Sequence, residues 1–135
     1  MISRWKKNLL IIIMVINILP MGAVFVLYRI AMATDLPGRG NGPQDAFRHT
    51  YSSALTARYI SPKAVELVSF LCERDHNSPM DLMDIHNNKI GAKIGIGEGP
   101  IYETVAKKVQ EGQIDAKDAD VVTWLAKSYW DGDGF

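Results

Sequence analysis

From Leu9 to Tyr28 the chain reads LLIIIMVINILPMGAVFVLY, a run with no charged residue and a single polar side chain, Asn17. Its length is about the 20 residues that a helix needs to cross a bilayer. A helix this uniformly apolar has nowhere to hide in a protein of 135 residues, because so small a domain lacks the apolar surface to cover it on every side. The run therefore reads as a membrane anchor, with Pro20 and Gly22 tolerated mid-span. Arg4, Lys6 and Lys7 precede it and Arg29 follows. That basic flank, with Trp5 and Tyr28 at the interfacial positions, places the N-terminus inside and the remainder outside. The alternative is a cleaved signal peptide, since Ala31-Met32-Ala33 is a small-x-small pattern. An apolar stretch longer than the usual ~7–15 residues and the intervening Arg29 favour the retained anchor. Either way the rest of the chain is exported, as a single-pass protein of the inner membrane or, if cleaved after Ala33, as a periplasmic or secreted one.

The whole chain balances 15 basic against 15 acidic residues. Setting aside residues 1–33 removes four basic groups and no acidic ones, leaving 11 against 15 and a mildly acidic exported part. Clustered excess Lys and Arg, the footprint of nucleic-acid binding, is missing. The same balance argues against a second, electrostatic attachment to anionic lipid, so the membrane contact expected is residues 9–28 alone. One cysteine, Cys72, permits neither an internal disulfide nor a Cys-based zinc site.

Three domains of the sequence follow: an anchor or signal segment over 1–33, a Gly/Pro linker over 34–42 (TDLPGRGNG), flexible or tightly turned, and a helical domain over 43–135. Pro43 opens a helix ending near Ile60. Ser61-Pro62 opens a second, expected to be substantially buried through Val65, Leu67, Val68, Phe70, Leu71 and Cys72. Ser78-Pro79 opens a third, with Asp81 at the capping-box position and Gly91 and Gly95 spaced to let another helix approach. Helical character weakens after Gly91. A fourth runs from Ile101 to Gly112, and a fifth begins at an Asp115 cap and carries Ala119, Val122, Leu125, Ala126 and Tyr129. No strand pattern appears. The fold class expected is all-α: one N-terminal transmembrane or signal helix followed by a compact bundle of about five short helices.

The polar chemistry is concentrated. Asp45 and His49 are four apart and share a helix face, so the carboxylate can hold one imidazole nitrogen and leave the other free, with Arg48 beside them. The second helix ends in Glu73, Asp75 and His76, and the third offers Asp84, His86, Asn87 and Asn88, with His86 turned well away from Asp84. If short loops make the three helices antiparallel neighbours, one cluster collects Asp45, Arg48, His49, Glu73, His76, Asp84 and one of His86 or Asn87. Such a set suffices for a divalent metal, although no H-E-x-x-H spacing specifies one, and the cofactor stays open. Taken singly, each residue has an ordinary structural role; it is their density that marks a site.

At GPQDAFRHTYSSAL (Gly42 to Leu55) and MDIHNNKIG (Met83 to Gly91) the sequence resembles a family of uncharacterised bacterial domains found in exported and lipoprotein-like contexts, with the pattern G-P-x-D-A-F-R-H followed by M-D-x-H-N-N-x-x-G. The resemblance covers residues 42 to about 96 and implies a shared helical fold and a shared polar site at Asp45, Arg48, His49, Asp84, His86, Asn87, Asn88 and Gly91, without implying a reaction. Relatives carry A-H-E where this chain reads Asp75-His76-Asn77, which weakens a carboxylate role at position 77. A fainter likeness is to secreted phospholipases A2, through Gly38, Gly40 and Gly42 ahead of the helix bearing Asp45 and His49; Thr50 stands where a calcium-ligating Asp follows the histidine, and that family's disulfides are missing.

Two functions fit. The first is a membrane-anchored, extracytoplasmic hydrolase acting on an envelope component, peptidoglycan or phospholipid, with His49 as general base oriented by Asp45, Arg48 and Asn87 stabilising an oxyanion, Asp84 and His86 completing the catalytic set, and Asn88, His76 and Glu73 binding. The second is a non-enzymatic envelope module, an immunity, exclusion or assembly factor with a protein partner and a structural polar core.

Overall fold

The structure, a computed structural model, describes residues 4–14, 26, 29–30, 33–73 and 77–130. It divides into two compact units, Met1–Ala33 and Thr34–Phe135. In the first, residues 4–14 are helical and exposed. Most of the expected span Leu9 to Tyr28, and Ala31-Met32 of the cleavage pattern, lie outside the described residues; among the described residues no helix is long and apolar enough to cross a membrane.

The second unit is mostly helical: α1 (Pro43–Tyr59), α2 (Pro62–Cys72), α3 (Pro79–Ile96) and α4 (Ile101–Gln110). Each of the first three starts with proline, whose missing N–H costs nothing in a first turn. Ser61 caps α2 by accepting from the Ala64 N–H at 3.1 Å. Ser78, by contrast, makes no side-chain cap bond to α3, so the expected capping box does not form. α3 continues unbroken past Gly91 to Ile96, beyond where its helical pattern fades in the sequence.

Gly91 and Gly95 explain how α3 reaches α1. A Cβ on Gly91 would collide with the Thr50 carbonyl oxygen and stand 2.8 Å from Ser53 Cβ; one on Gly95 would collide with the Ala54 carbonyl and stand 2.6 Å from Ala57 Cβ. The two backbones thus touch without side chains between them. At the end of α1, Arg58 donates to the Gly95 and Gly97 carbonyls, each at 2.6 Å, satisfying the last turn of α3. Phe47 and Tyr51 of α1 pack on Tyr102 of α4 at 5.7 and 5.9 Å between ring centres, and Val105 and Val109 complete that face of the core.

Two expectations are corrected. No helix follows Asp115, which sits at φ 50° in a turn. Gln113–Ile114 (β1) instead pairs in parallel with Thr123–Trp124 (β2), and the only helical piece beyond is the 3-10 turn Lys127–Tyr129. Val122 and Leu125 do enter the core, but the backbone around them bonds to distant groups rather than to its own next turn. Nor is α2 substantially buried. Val65 alone of its residues is buried, and Phe70 is 68% exposed.

Candidate functional site

The polar centre is built where the first turns of α1 meet α3. Gly42 precedes α1, so Asp45 falls in its first turn, where the helix dipole favours a carboxylate. The chain before it turns tightly rather than trailing as a flexible linker. Asn41 adopts φ 63°, its N–H donates to Asp45 Oδ2 at 2.6 Å, and its side-chain amide donates to the Tyr129 carbonyl at 2.9 Å. Asp45 is thereby locked, and Arg48, three residues on, donates to its Oδ1.

His49, on the next position of the same face, points Nε2 at two carboxylates: Asp45 Oδ1 at 3.5 Å and Asp84 Oδ1, from α3, at 3.4 Å. The expected arrangement of one nitrogen held and the other free is therefore not the one found, because both acids address the same nitrogen. Burial pushes the imidazole below its ordinary pKa, opposed by Asp45, reinforced by Arg48 and offset by a hydrogen bond with Asn88. At neutral pH His49 is uncharged and these contacts are not ion pairs. The Asp84 carboxyl is pushed up to about 8, first by burial, then by Asp45 and Glu73, with Arg48 pulling the other way and Asp81 adding to the rise. Its Oδ1 is buried and accepts no hydrogen bond.

Asn88 joins the centre to α2. It accepts from Ser53 Oγ at 2.8 Å and donates to Ser69 Oγ at 2.7 Å and Glu73 Oε1 at 3.3 Å. Glu73 is also raised above its ordinary pKa, chiefly by burial and then by Asp81, with Asn88 lowering it and Asp45 raising it. Neither Asn88 nor Glu73 could be tied to His49 by helical spacing, since α2 and α3 must pack before they meet.

Asp45, Arg48, His49, Glu73, Asp84 and Asn88 are thus brought together, and two expected members are not. His86 Nε2 lies 2.9 Å from the Val121 carbonyl, so it donates to the C-terminal segment instead. Asn87 is fully buried and spends its amide on Thr123, donating to that residue's carbonyl at 2.8 Å and accepting from its N–H at 3.0 Å. It imitates a strand neighbour and has nothing left for an oxyanion. Asn87→Ala is accordingly expected to cost about 2 kcal/mol or more, by leaving two buried backbone groups unpaired, while cation binding at the centre is unchanged. Urea denaturation beside calorimetric titration checks both halves. His76 and Asp75 lie outside the described residues.

Nε2 of His49 and one oxygen each of Asp45 and Asp84 all lie within 4.8 Å of one another. Two atoms bonded to one cation at about 2.1 Å in a tetrahedron stand roughly 3.4 Å apart, close to the 3.4 and 3.5 Å separations of Nε2 from the two oxygens. One imidazole and two carboxylates are a donor set for a divalent cation of the zinc or manganese kind, and three protein ligands leave a position open.

A family model described as a domain of unknown function, DUF6973, matches residues 30–116, which take in all four helices and every residue of the polar centre. No curated protein and no solved structure matches the chain.

Proposed function

Because the chain belongs to the DUF6973 family, whose description names no reaction, we propose its function from the site: a cation-assisted hydrolase acting on an envelope component, peptidoglycan or phospholipid, outside the membrane to which Leu9 to Tyr28 would tether it. The observation that carries this reading is the convergence of His49 Nε2, Asp45 and Asp84 on one point. Support for the location comes from the uncharged run and its basic flank.

A cation held there would polarise a carbonyl or phosphoryl oxygen and bring the pKa of a bound water toward neutrality. Water adds to the acyl carbon or phosphorus, the bond to the leaving oxygen breaks, and the leaving group takes up a proton. Arg48, whose side chain is 41% exposed at the edge of the centre, is placed to meet negative charge developing on the substrate. His49 orients the cation rather than serving as a free base, because its Nε2 faces the two acids.

The test is calorimetric titration of chelator-treated full-length protein with zinc and manganese, together with hydrolysis assays on phospholipid vesicles and peptidoglycan. One cation per chain is expected, with binding lost in His49→Ala and in Asp45→Asn, and hydrolysis that stops with chelator. If no stoichiometric cation binds and the variants lose only stability, the centre is a structural polar core, and an envelope protein partner becomes the better reading.

A further inference from the structure

α2 is an anomaly among the helices. Leu67, Val68, Phe70 and Leu71 are all more than half exposed, although burying each such side chain would stabilise by about 1.5–3 kcal/mol. Beside them, between α2 and α3, lies a groove of about 500 Å³ walled by Pro62, Val65, Phe70, Ile85 and Ala92. That volume falls within the range of small-ligand sites.

The polar side chains of the groove are few and placed at one part of it. Ser69 and Asn88 both line it, bond to each other, and Asn88 is the residue that also bonds His49. A single side chain therefore forms both groove wall and cluster edge. Along the rest of the wall nothing offers hydrogen bonds to an extended peptide, whose backbone groups would be buried unpaired. An alkyl chain makes no such demand. Lys89 and Lys93 line the α3 side against one acid, Glu66, a balance that suits an anionic head group rather than a cationic one.

We propose that the groove receives the acyl chain of a membrane lipid, with the lipid's polar head directed past Asn88 to Asp45, His49 and Asp84. The assignment rests on the reading of that cluster as the hydrolytic centre and names its substrate class. The exposed face of α2 is then the surface on which the lipid is approached, in keeping with a chain that carries its own bilayer-length apolar run.

The test uses the full-length protein in a bile-salt detergent, which has no alkyl chain to compete, and a photoactivatable palmitoyl lysophosphatidylcholine as probe. Adducts are expected on the peptides holding Phe70, Ile85 and Ala92. Ala92→Trp, which fills the groove, is expected to lower labelling at least about tenfold, and Phe70→Ala, at an exposed position that folding tolerates, to lower it severalfold. His49→Ala should label like the parent, so a protein that labels in the groove yet binds no cation would refute the hydrolytic reading and leave the groove assignment standing. Adducts spread over the outer face of α2 and indifferent to Ala92→Trp would overturn the proposal. So would labelling that vanishes as the protein self-associates, which would assign the face to a second copy of the chain.

Discussion

Asp84→Asn is expected to make the cation-free protein more stable at alkaline pH and, in the same molecule, to abolish cation binding. Burial, followed by repulsion from Asp45 and Glu73, raises the Asp84 carboxyl from 3.8 to about 8, with Asp81 adding and Arg48 opposing. The folded state therefore keeps a proton that the unfolded state releases. Its contribution to stability is complete below the unfolded pKa and is lost progressively as pH rises through the folded one. The two values are about four units apart, which at about 1.4 kcal/mol per unit caps the loss on the order of 5 kcal/mol. Asparagine fits the same space without a charge to bury. Urea denaturation in chelator should show the variant gaining on the parent by a few kcal/mol between about pH 4 and pH 8, with no further change above. His49 shifts in the opposite direction, since its depressed pKa contributes stability that is present above about pH 6.5 and lost on acidification. It is common to both proteins and largely drops out of the difference. A cation must also displace the Asp84 proton, so the parent's apparent affinity should climb about tenfold per pH unit and level off beyond about pH 8. A parent whose stability gap to the variant does not depend on pH would show that Asp84 is solvated and that the centre is not strained toward a cation.

That balance between stability and binding could be read from the sequence only in part. Asp45 and His49 share a helix face by spacing alone, and proline at each helix start marks α1, α2 and α3 because the signal is local. Asp84 joins them only through the packing of α3 on α1, and Glu73 only through the amide of Asn88. His86, two residues from Asp84, is carried round the helix to the C-terminal segment. The same non-local bonding hides the end of the fold. Val122 and Leu125 have helical spacing and do become core, yet the Thr123 backbone pairs with the Asn87 side chain and the Leu125 N–H with the Asn41 carbonyl. No window of sequence around residue 120 contains Asn41 or Asn87. On α2 the error has the opposite origin: apolar periodicity reports which face wants cover, and not whether this chain supplies it.

Gly91→Ala is expected to destabilise the domain by about 2–4 kcal/mol, the cost of overpacking less what alanine returns in helix propensity, and to weaken cation binding about tenfold without altering a ligand. Asp84, Asn88, Gly91 and Gly95 fall four, three and four residues apart, one stripe along α3, and that stripe is the one in contact with α1. On a free helix alanine for glycine stabilises by roughly 0.5–1 kcal/mol, so the sign of the change reports whether the neighbouring backbone yields. Here the new methyl meets the Thr50 carbonyl oxygen, with Ser53 Cβ at 2.8 Å, and a carbonyl inside a helix cannot rotate away. α3 must move off α1, and the contact between His49 and Asp84, now 3.4 Å, opens with it. Gly95→Ala provides the control. It is equally close to α1, against the Ala54 carbonyl, but stands about 16 Å from Asp84 along the helix axis, against about 10 Å for Gly91. It should cost similar stability and change cation affinity by less than about threefold. Urea denaturation and zinc titration of the two variants separate the effects. A stabilised Gly91→Ala would mean that the helices do not touch there, and equal loss of affinity in both variants would mean that the cation responds to global stability rather than to the local approach of α3 to α1.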